Sequence, residues 1–249
     1  MEIQYKIYSP AGNDTALVIG DNYSREERRA INDKILQTHT NVEQVGFLCQ
    51  AKNKLTMAGG EFCGNATRCA AHYYLQETVG EIDIEVAENA FVKAGISKRA
   101  KAWVQVPLLK DVNTITRINK DFTLVRFEGI SHLVSLTVKE INAMQIIEKY
   151  GLENELCVGI ILASGGGQNY KIDPYVWVRE IDTLFNEKSC LSGTAALAMC
   201  IADESEKTLY IKQPSGKKLK CKITRENDIV KSAIVSGIID VENDFRIPL

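Results

Sequence analysis

Apolar and polar residues alternate in short runs along most of the chain, the period-2 signature of strands with one face in a core. Residues 4–8 and 15–19 read as two strands joined by the turn Ser9-Pro10-Ala11-Gly12-Asn13-Asp14. Ser24-Arg25-Glu26-Glu27 is a capping box, and Ala30, Ile31, Ile35 and Leu36 give the helix after it, to about Gln37, a buried stripe. Residues 42–48 pass from loop into strand. A helix over 65–76 stops before Gly80, with strands at 82–86, 91–96 and 103–106. A similar order then recurs from near residue 115. Strands at 122–127 and 133–136 lead to a second capping box, Thr137-Val138-Lys139-Glu140, whose helix runs through Ile141, Met144 and Ile147 to a stop at Gly151. A strand at 158–163, a mobile, lid-like loop over Ser164-Gly165-Gly166-Gly167-Gln168-Asn169 and a strand at 175–179 follow. The helix after Cys190 is apolar nearly all round, which predicts burial on every side.

One offset relates the halves. A shift of 127 residues takes Cys63 to Cys190, Thr67 to Thr194 and Ala71 to Ala198. It also takes Ile82, Ile84, Val92, Ala94 and Ile96 to Leu209, Ile211, Leu219, Cys221 and Ile223. Upstream, with loops of different length, Gly12-Asn13-Asp14-Thr15-Ala16-Leu17-Val18 echoes Gly129-Ile130-Ser131-His132-Leu133-Val134. The chain therefore reads as an α/β (α+β) protein of two pseudo-symmetric modules, residues 1–114 and 115–249. Each is expected to be a curved, mostly antiparallel sheet around a central helix, with the last strand free to return to the first module.

A length of 249 residues with 45% hydrophobic content is enough for a substantial core. A net charge of −2 and a pI near 6.0 leave no basic footprint for nucleic acid, and the lysine-rich run at 217–222 alternates like a strand with one wet face. No apolar run is long enough to span a membrane, and Met1-Glu2-Ile3-Gln4-Tyr5-Lys6 lacks a signal-peptide core, so a cytoplasmic protein with no membrane partner is expected. Seven cysteines, an odd number, fit reduced thiols better than a disulfide framework. No Cys-x-x-Cys or His-x-x-x-His spacing points to a metal, and the three glycines at 165–167 lack the Lys-Ser/Thr of a phosphate loop. A homodimer is compatible with these bounds.

Cys49, Cys69, Cys157, Cys200 and Cys221 read as small buried hydrophobes. Cys63 and Cys190 stand apart, because each precedes turn-suited residues and an Ala-rich helix. At a helix N-terminus the free N–H groups and the positive end of the macrodipole favour thiolate over thiol. Two such thiols facing a shared cleft suit a reaction that takes a proton from one face of a carbon and returns one to the other: racemisation or epimerisation. The backbone N–H groups of Gly64, Asn65, Leu191 and Ser192 would grip the substrate carboxylate as enolate charge develops, and no metal or pyridoxal cofactor is then needed. His39 and His72 read as solvated or core-edge residues on helices rather than ligands, and His132 could line the cleft by its place in the repeat. Glu187 suits either a contact to a substrate ammonium or a helix cap. Two rival classes stay open: a binding module without chemistry, and a redox couple of Cys63 and Cys190.

Glu61-Phe62-Cys63-Gly64-Asn65-Ala66-Thr67-Arg68-Cys69 resembles the first cysteine motif of the diaminopimelate epimerase superfamily, and Ser189-Cys190-Leu191-Ser192-Gly193-Thr194-Ala195 resembles its second. The similarity spans nearly the whole chain, including Gln213-Pro214-Ser215-Gly216. It implies a pseudo-symmetric pair of α/β modules and cofactor-independent two-base catalysis by Cys63 and Cys190, with Asn13 and Gln44 at substrate-site positions. Some features depart from the epimerases. No Glu-Arg pair precedes the second cysteine (Glu180-Ile181-Asp182-Thr183-Leu184-Phe185-Asn186-Glu187), the lead Met57-Ala58-Gly59-Gly60 is short, and Gly129-Ile130-Ser131-His132 replaces Gly-Asn-Pro-His. Leu191 replaces the usual glycine and narrows the cleft. Phe62, the Glu43-Gln44 pair and the Asn-Ala-Thr run are instead similar to the superfamily's histidine racemases. That resemblance implies a histidine racemase in which Glu43 meets an imidazole or cationic side chain, with diaminopimelate or another amino acid as the alternative substrate.

Overall fold

The computed structural model describes residues 2–20, 23–88, 90–99, 101–109, 114–227 and 229–248. Contacts divide the chain into two units, Met1–Val104 with Ser236–Leu249, and Gln105–Val235. The boundary expected at 114/115 borders residues 110–113, which lie outside the described residues.

In the first unit, β1 (Glu2–Pro10) and β2 (Asp14–Ile19) form an antiparallel pair around a turn that needs Gly12 at φ +88°. The capping box forms as expected: Glu27 N donates to Ser24 Oγ at 3.2 Å and Ser24 N to Glu27 Oε2 at 2.7 Å. The helix it starts, α1 (Arg25–Thr38), carries the chain to β3 (Val42–Cys49), parallel to β2. β4 (Lys54–Met57) turns back antiparallel. A second crossover, α2 (Gly64–Tyr74), brings β5 (Gly80–Ala87) parallel to β4, with β6 (Ala90–Ile96) and β7 (Ala102–Gln105) antiparallel beyond it.

The second unit follows a similar plan. β8 (Ile115–Arg117), β9 (Thr123–Phe127) and β10 (Ile130–Ser135) are antiparallel, and α3 (Ala143–Lys149) crosses to β11 (Cys157–Gly166), parallel to β10. β12 (Asn169–Val178) and β13 (Thr183–Asn186) run antiparallel in turn. The last helix, α4 (Leu191–Ile201), then crosses to β14 (Glu206–Lys212), parallel to β12, followed by β15 (Lys218–Glu226) and β16 (Ile229–Gly237). β17 (Ile239–Pro248) belongs to the first unit, where it pairs antiparallel with β1 from Glu2↔Pro248 to Pro10↔Ile239.

In each unit one helix is swallowed by strands. Residues 64–71 of α2 are all buried against β1 to β6, and residues 191–199 of α4 are all buried against β9, β10, β11 and β15. The apolar circumference of α4 forecast this. α3 covers the other side of its sheet, packing Ala143 and Ile147 with Phe122, Leu124, Leu133, Val158, Ile160 and Trp177.

Two expectations are corrected. No helix starts at Thr137, because Ser135 Oγ takes the N–H groups of Thr137 and Val138 at 3.3 and 3.1 Å. α3 begins later, with Asn142 as its cap accepting from Gln145 N at 3.2 Å. The glycine-rich stretch is a hairpin and no mobile lid, since β11 and β12 pair through to Gly166↔Asn169, leaving Gly167-Gln168 as a two-residue turn. Gly165 is required there: at φ +130° a Cβ would lie 2.5 Å from Asn169 O.

Candidate functional site

Cys63 and Cys190 are the N-cap residues of the two enclosed helices, with nearly superposable backbone angles of φ −120°, ψ 107° and φ −122°, ψ 112°. Each sulfur accepts the N–H three residues on, Ala66 to Cys63 Sγ and Gly193 to Cys190 Sγ, both at 3.4 Å. Each carbonyl accepts a threonine hydroxyl, Thr67 and Thr194, both at 2.7 Å. The approaches match too. A short 3-10 turn (Gln50–Lys52 or Arg179–Ile181), a left-handed Asn53 or Asp182 and a four-residue strand precede each cysteine. Cys63 is 8% exposed and Cys190 3%.

Around Cys63, β3 supplies Gln44, whose Oε1 accepts from Sγ at 2.8 Å. The adjacent Glu43 is buried, and its Oε2 accepts from Asn13 Nδ2 at 2.6 Å; Thr15 Oγ1 donates to Asn13 Oδ1 at 3.2 Å. Gly64 and Asn65 form the first turn of α2, and Asn65 Oδ1 accepts from Arg68 Nη2 at 2.9 Å. The structure thus brings Gln44, Gly64 and Asn65 to Cys63 and the start of one helix, and joins Asn13 to Glu43 as a buried pair. It adds two groups that were not selected from the sequence. Arg68 is fully buried, and burial pulls its guanidinium down to about 10. Burial pushes the Glu61 carboxyl up to about 7, against the lowering pull of backbone hydrogen bonds at Glu61 and Gly59.

Around Cys190, Leu191 and Ser192 form the first turn, with Ser192 Oγ 3.7 Å from Sγ. The thiol is pushed well up, first by burial and then by the Glu187 carboxylate, to which it hydrogen-bonds. Gln213 was not selected either, yet it holds this turn. Its Oε1 accepts from Cys190 N at 2.9 Å, and its Nε2 donates to Thr194 Oγ1 at 3.0 Å and Ile211 O at 3.1 Å. Gly193 has no room for a side chain, because a Cβ would meet Ile161 Cδ1 at 2.4 Å. His132 is enclosed in its unit, its ring nitrogens have no partner among the described residues, and burial lowers it to about 3, so the ring is neutral.

None of the seven cysteines is joined in a disulfide. Cys69, Cys157 and Cys221 are buried, whereas Cys49 and Cys200 are mostly but not wholly covered; burial pushes Cys69 and Cys200 up to about 12 and raises Cys221 further. Among the described residues no group of three or more His, Cys, Asp or Glu is placed to hold a metal ion. No helix among them is long and apolar enough to cross a membrane.

The family model for the histidine racemase CntK N-terminal domain matches residues 2–244. A histidine racemase of Fusobacterium nucleatum is 31% identical over 212 residues, covering 76% of this chain and 77% of that protein. A histidine racemase of Staphylococcus aureus is 28% identical over 239 residues, covering 86% of each. The crystal structure of a hydroxyproline epimerase from Agrobacterium vitis shares the fold at a TM-score of 0.58 and 10% identity, over 99% of this chain and 91% of that one.

Proposed function

The chain belongs to the histidine racemase family whose CntK N-terminal domain model spans nearly all of it, and from that premise we propose that it interconverts L- and D-histidine by proton transfer at Cα between Cys63 and Cys190. The observation that carries the reading is the twinned cap: two sulfurs, each at the start of an enclosed helix, each receiving the N–H three residues on at 3.4 Å. A helix start stabilises negative charge, which suits both a thiolate base and a carboxylate that gains enolate character as Cα loses its proton. In this scheme one thiolate takes the α-proton and the other thiol delivers a proton to the opposite face; the roles exchange in the reverse direction. The first-turn N–H groups of Gly64, Asn65, Leu191 and Ser192 grip the α-carboxylate.

Histidine as the substrate is supported by the relatives and by the buried Asn13–Glu43 pair next to Gln44 in sequence. Glu43, oriented by Asn13, offers a carboxylate to an imidazole, and the neighbouring Gln44 meets the Cys63 sulfur. The absence of a Glu-Arg pair before Cys190 disfavours diaminopimelate, whose distal ammonium and carboxylate would lose their partners.

The test is incubation with each amino acid in heavy water. Deuterium is expected at Cα of histidine, and both Cys63→Ser and Cys190→Ser are expected to lose at least about 100-fold in racemisation. Full racemisation by either variant would remove the two-thiol scheme, and deuterium in another amino acid with none in histidine would reassign the substrate.

A further inference from the structure

The repeat makes the two cysteine helices comparable position by position, and their charges differ. The offset of 127 residues carries Arg68 onto Ala195, and it carries Glu187 back onto Gly60. Arg68 is fully buried. Its Nη2 donates to Asn65 Oδ1, and its Nε and Nη1 have no partner among the described residues. A guanidinium removed from water and left without hydrogen-bond partners is strongly disfavoured unless an anion lies within reach. Besides Asn65, the ionisable groups whose charge acts on it are the thiols of Cys69 and Cys63. Cys69 is sealed inside α2 and stays protonated. That leaves Cys63, whose sulfur already accepts the Ala66 N–H at the positive end of the helix. At the second helix the buried charge has the opposite sign, because Glu187 is 3% exposed and lies against Cys190.

We propose that this broken symmetry polarises the pair: Arg68 holds Cys63 as the resting thiolate, and Glu187 holds Cys190 as the resting thiol. Both are positioning residues that act through sulfur. The inference rests on the two-thiol reading above and extends it by fixing where the proton waits in the free enzyme. Cys63 takes the α-proton and becomes a thiol, Cys190 gives its proton to the other face and becomes a thiolate, and the resting state returns when Cys63 loses a proton to solvent and Cys190 gains one. As a thiolate, Cys63 needs Gln44 to present its amide N–H, which a turn of the side-chain amide supplies.

The remaining ionisable groups on the packed elements leave this polarity in place. On the Cys63 side, Glu43 of β3 is bound by Asn13, Asp14 of β2 accepts from Asn41, and Lys54 of β4 pairs with Glu85 of β5 at 2.7 Å. Burial raises Glu61 and Tyr8 of β1 and lowers His72, favouring their neutral forms. On the Cys190 side, His132 of β10 is neutral, Cys157 of β11 and Cys221 of β15 are buried, and Arg126 of β9 lies 3.8 Å from Glu155. Arg225 of β15 binds Met199 O at the far end of α4, at 2.6 Å.

The test is alkylation by iodoacetamide across pH on the whole protein, read cysteine by cysteine by mass spectrometry. In the wild type the midpoint for Cys63 is expected at least one pH unit below that for Cys190. Arg68→Met should raise the Cys63 midpoint by a unit or more and leave Cys190 unmoved, Arg68→Lys should restore most of the shift, and Glu187→Gln should lower the Cys190 midpoint alone. A Cys190 midpoint at or below that of Cys63 in the wild type overturns the proposal, as does an unmoved Cys63 midpoint in folded Arg68→Met. If Arg68→Met does not fold, the wild-type order decides. Labelling needs no turnover, so a protein that fails to exchange deuterium into histidine but titrates in this order would lose the racemase reading and keep the polarised pair.

Discussion

At the scale of single residues, the groups around the two sulfurs are held by bonds that can be removed one at a time. Gln213 satisfies a backbone N–H, a hydroxyl and a carbonyl with one buried amide. Gln213→Leu leaves those groups unpaired, and we expect a loss of about 2–3 kcal/mol in chemical denaturation. Glu61 makes a pH prediction. Its folded value of about 7 lies above the 4.5 of an unperturbed glutamate, so the folded state binds the proton more tightly. Stability from this group is therefore complete below about pH 4.5, falls as pH rises toward 7 and is lost above that, by up to about 3 kcal/mol. Denaturation midpoints at pH 5 and pH 8 should differ in the wild type and converge in Glu61→Gln. The cysteines were legible in the sequence because each sits in a turn-then-alanine context that recurs. Glu61, Arg68 and Gln213 were not, since a charged or amide side chain reads as surface until the fold encloses it.

At the scale of elements, close approach decides more than propensity does. β10 and β11 pair with His132 opposite Gly159, and a Cβ at 159 would lie 2.1 Å from His132 Nδ1. Gly159→Ala should lower the melting temperature by several degrees, about 1–3 kcal/mol of overpacking. Gly159→Ala combined with His132→Ala should recover part of that loss, and additive effects in the cycle would show that the two positions do not touch. Strand alternation and the first capping box were readable because they are local. The box at Thr137 misled because Ser135, two residues upstream, competes for the same N–H groups, and no spacing rule shows which oxygen wins. The lid-like loop misled for a related reason: glycines that suggest mobility also permit a tight hairpin.

At the scale of the whole chain, the repeat accounts for the shared order of crossovers, and the exception to it is β17. The first unit takes β1 to β7 from one end of the sequence and β17 from the other. Residues 2–104 made alone should remain unfolded by circular dichroism, with β1 lacking its β17 partner. Val106 N donates to Ala233 O at 2.8 Å, so a short Gly-Ser linker can join residue 104 to residue 236, and that fusion should fold. A cooperative, folded 2–104 fragment would show β17 to be dispensable. The same pairing sets a timetable during translation. The unit whose residues emerge from the ribosome first must wait for β17, which is made after all of the second unit, so a protein broken off before residue 239 carries an unclosed seam along β1 that proteases and chaperones can recognise.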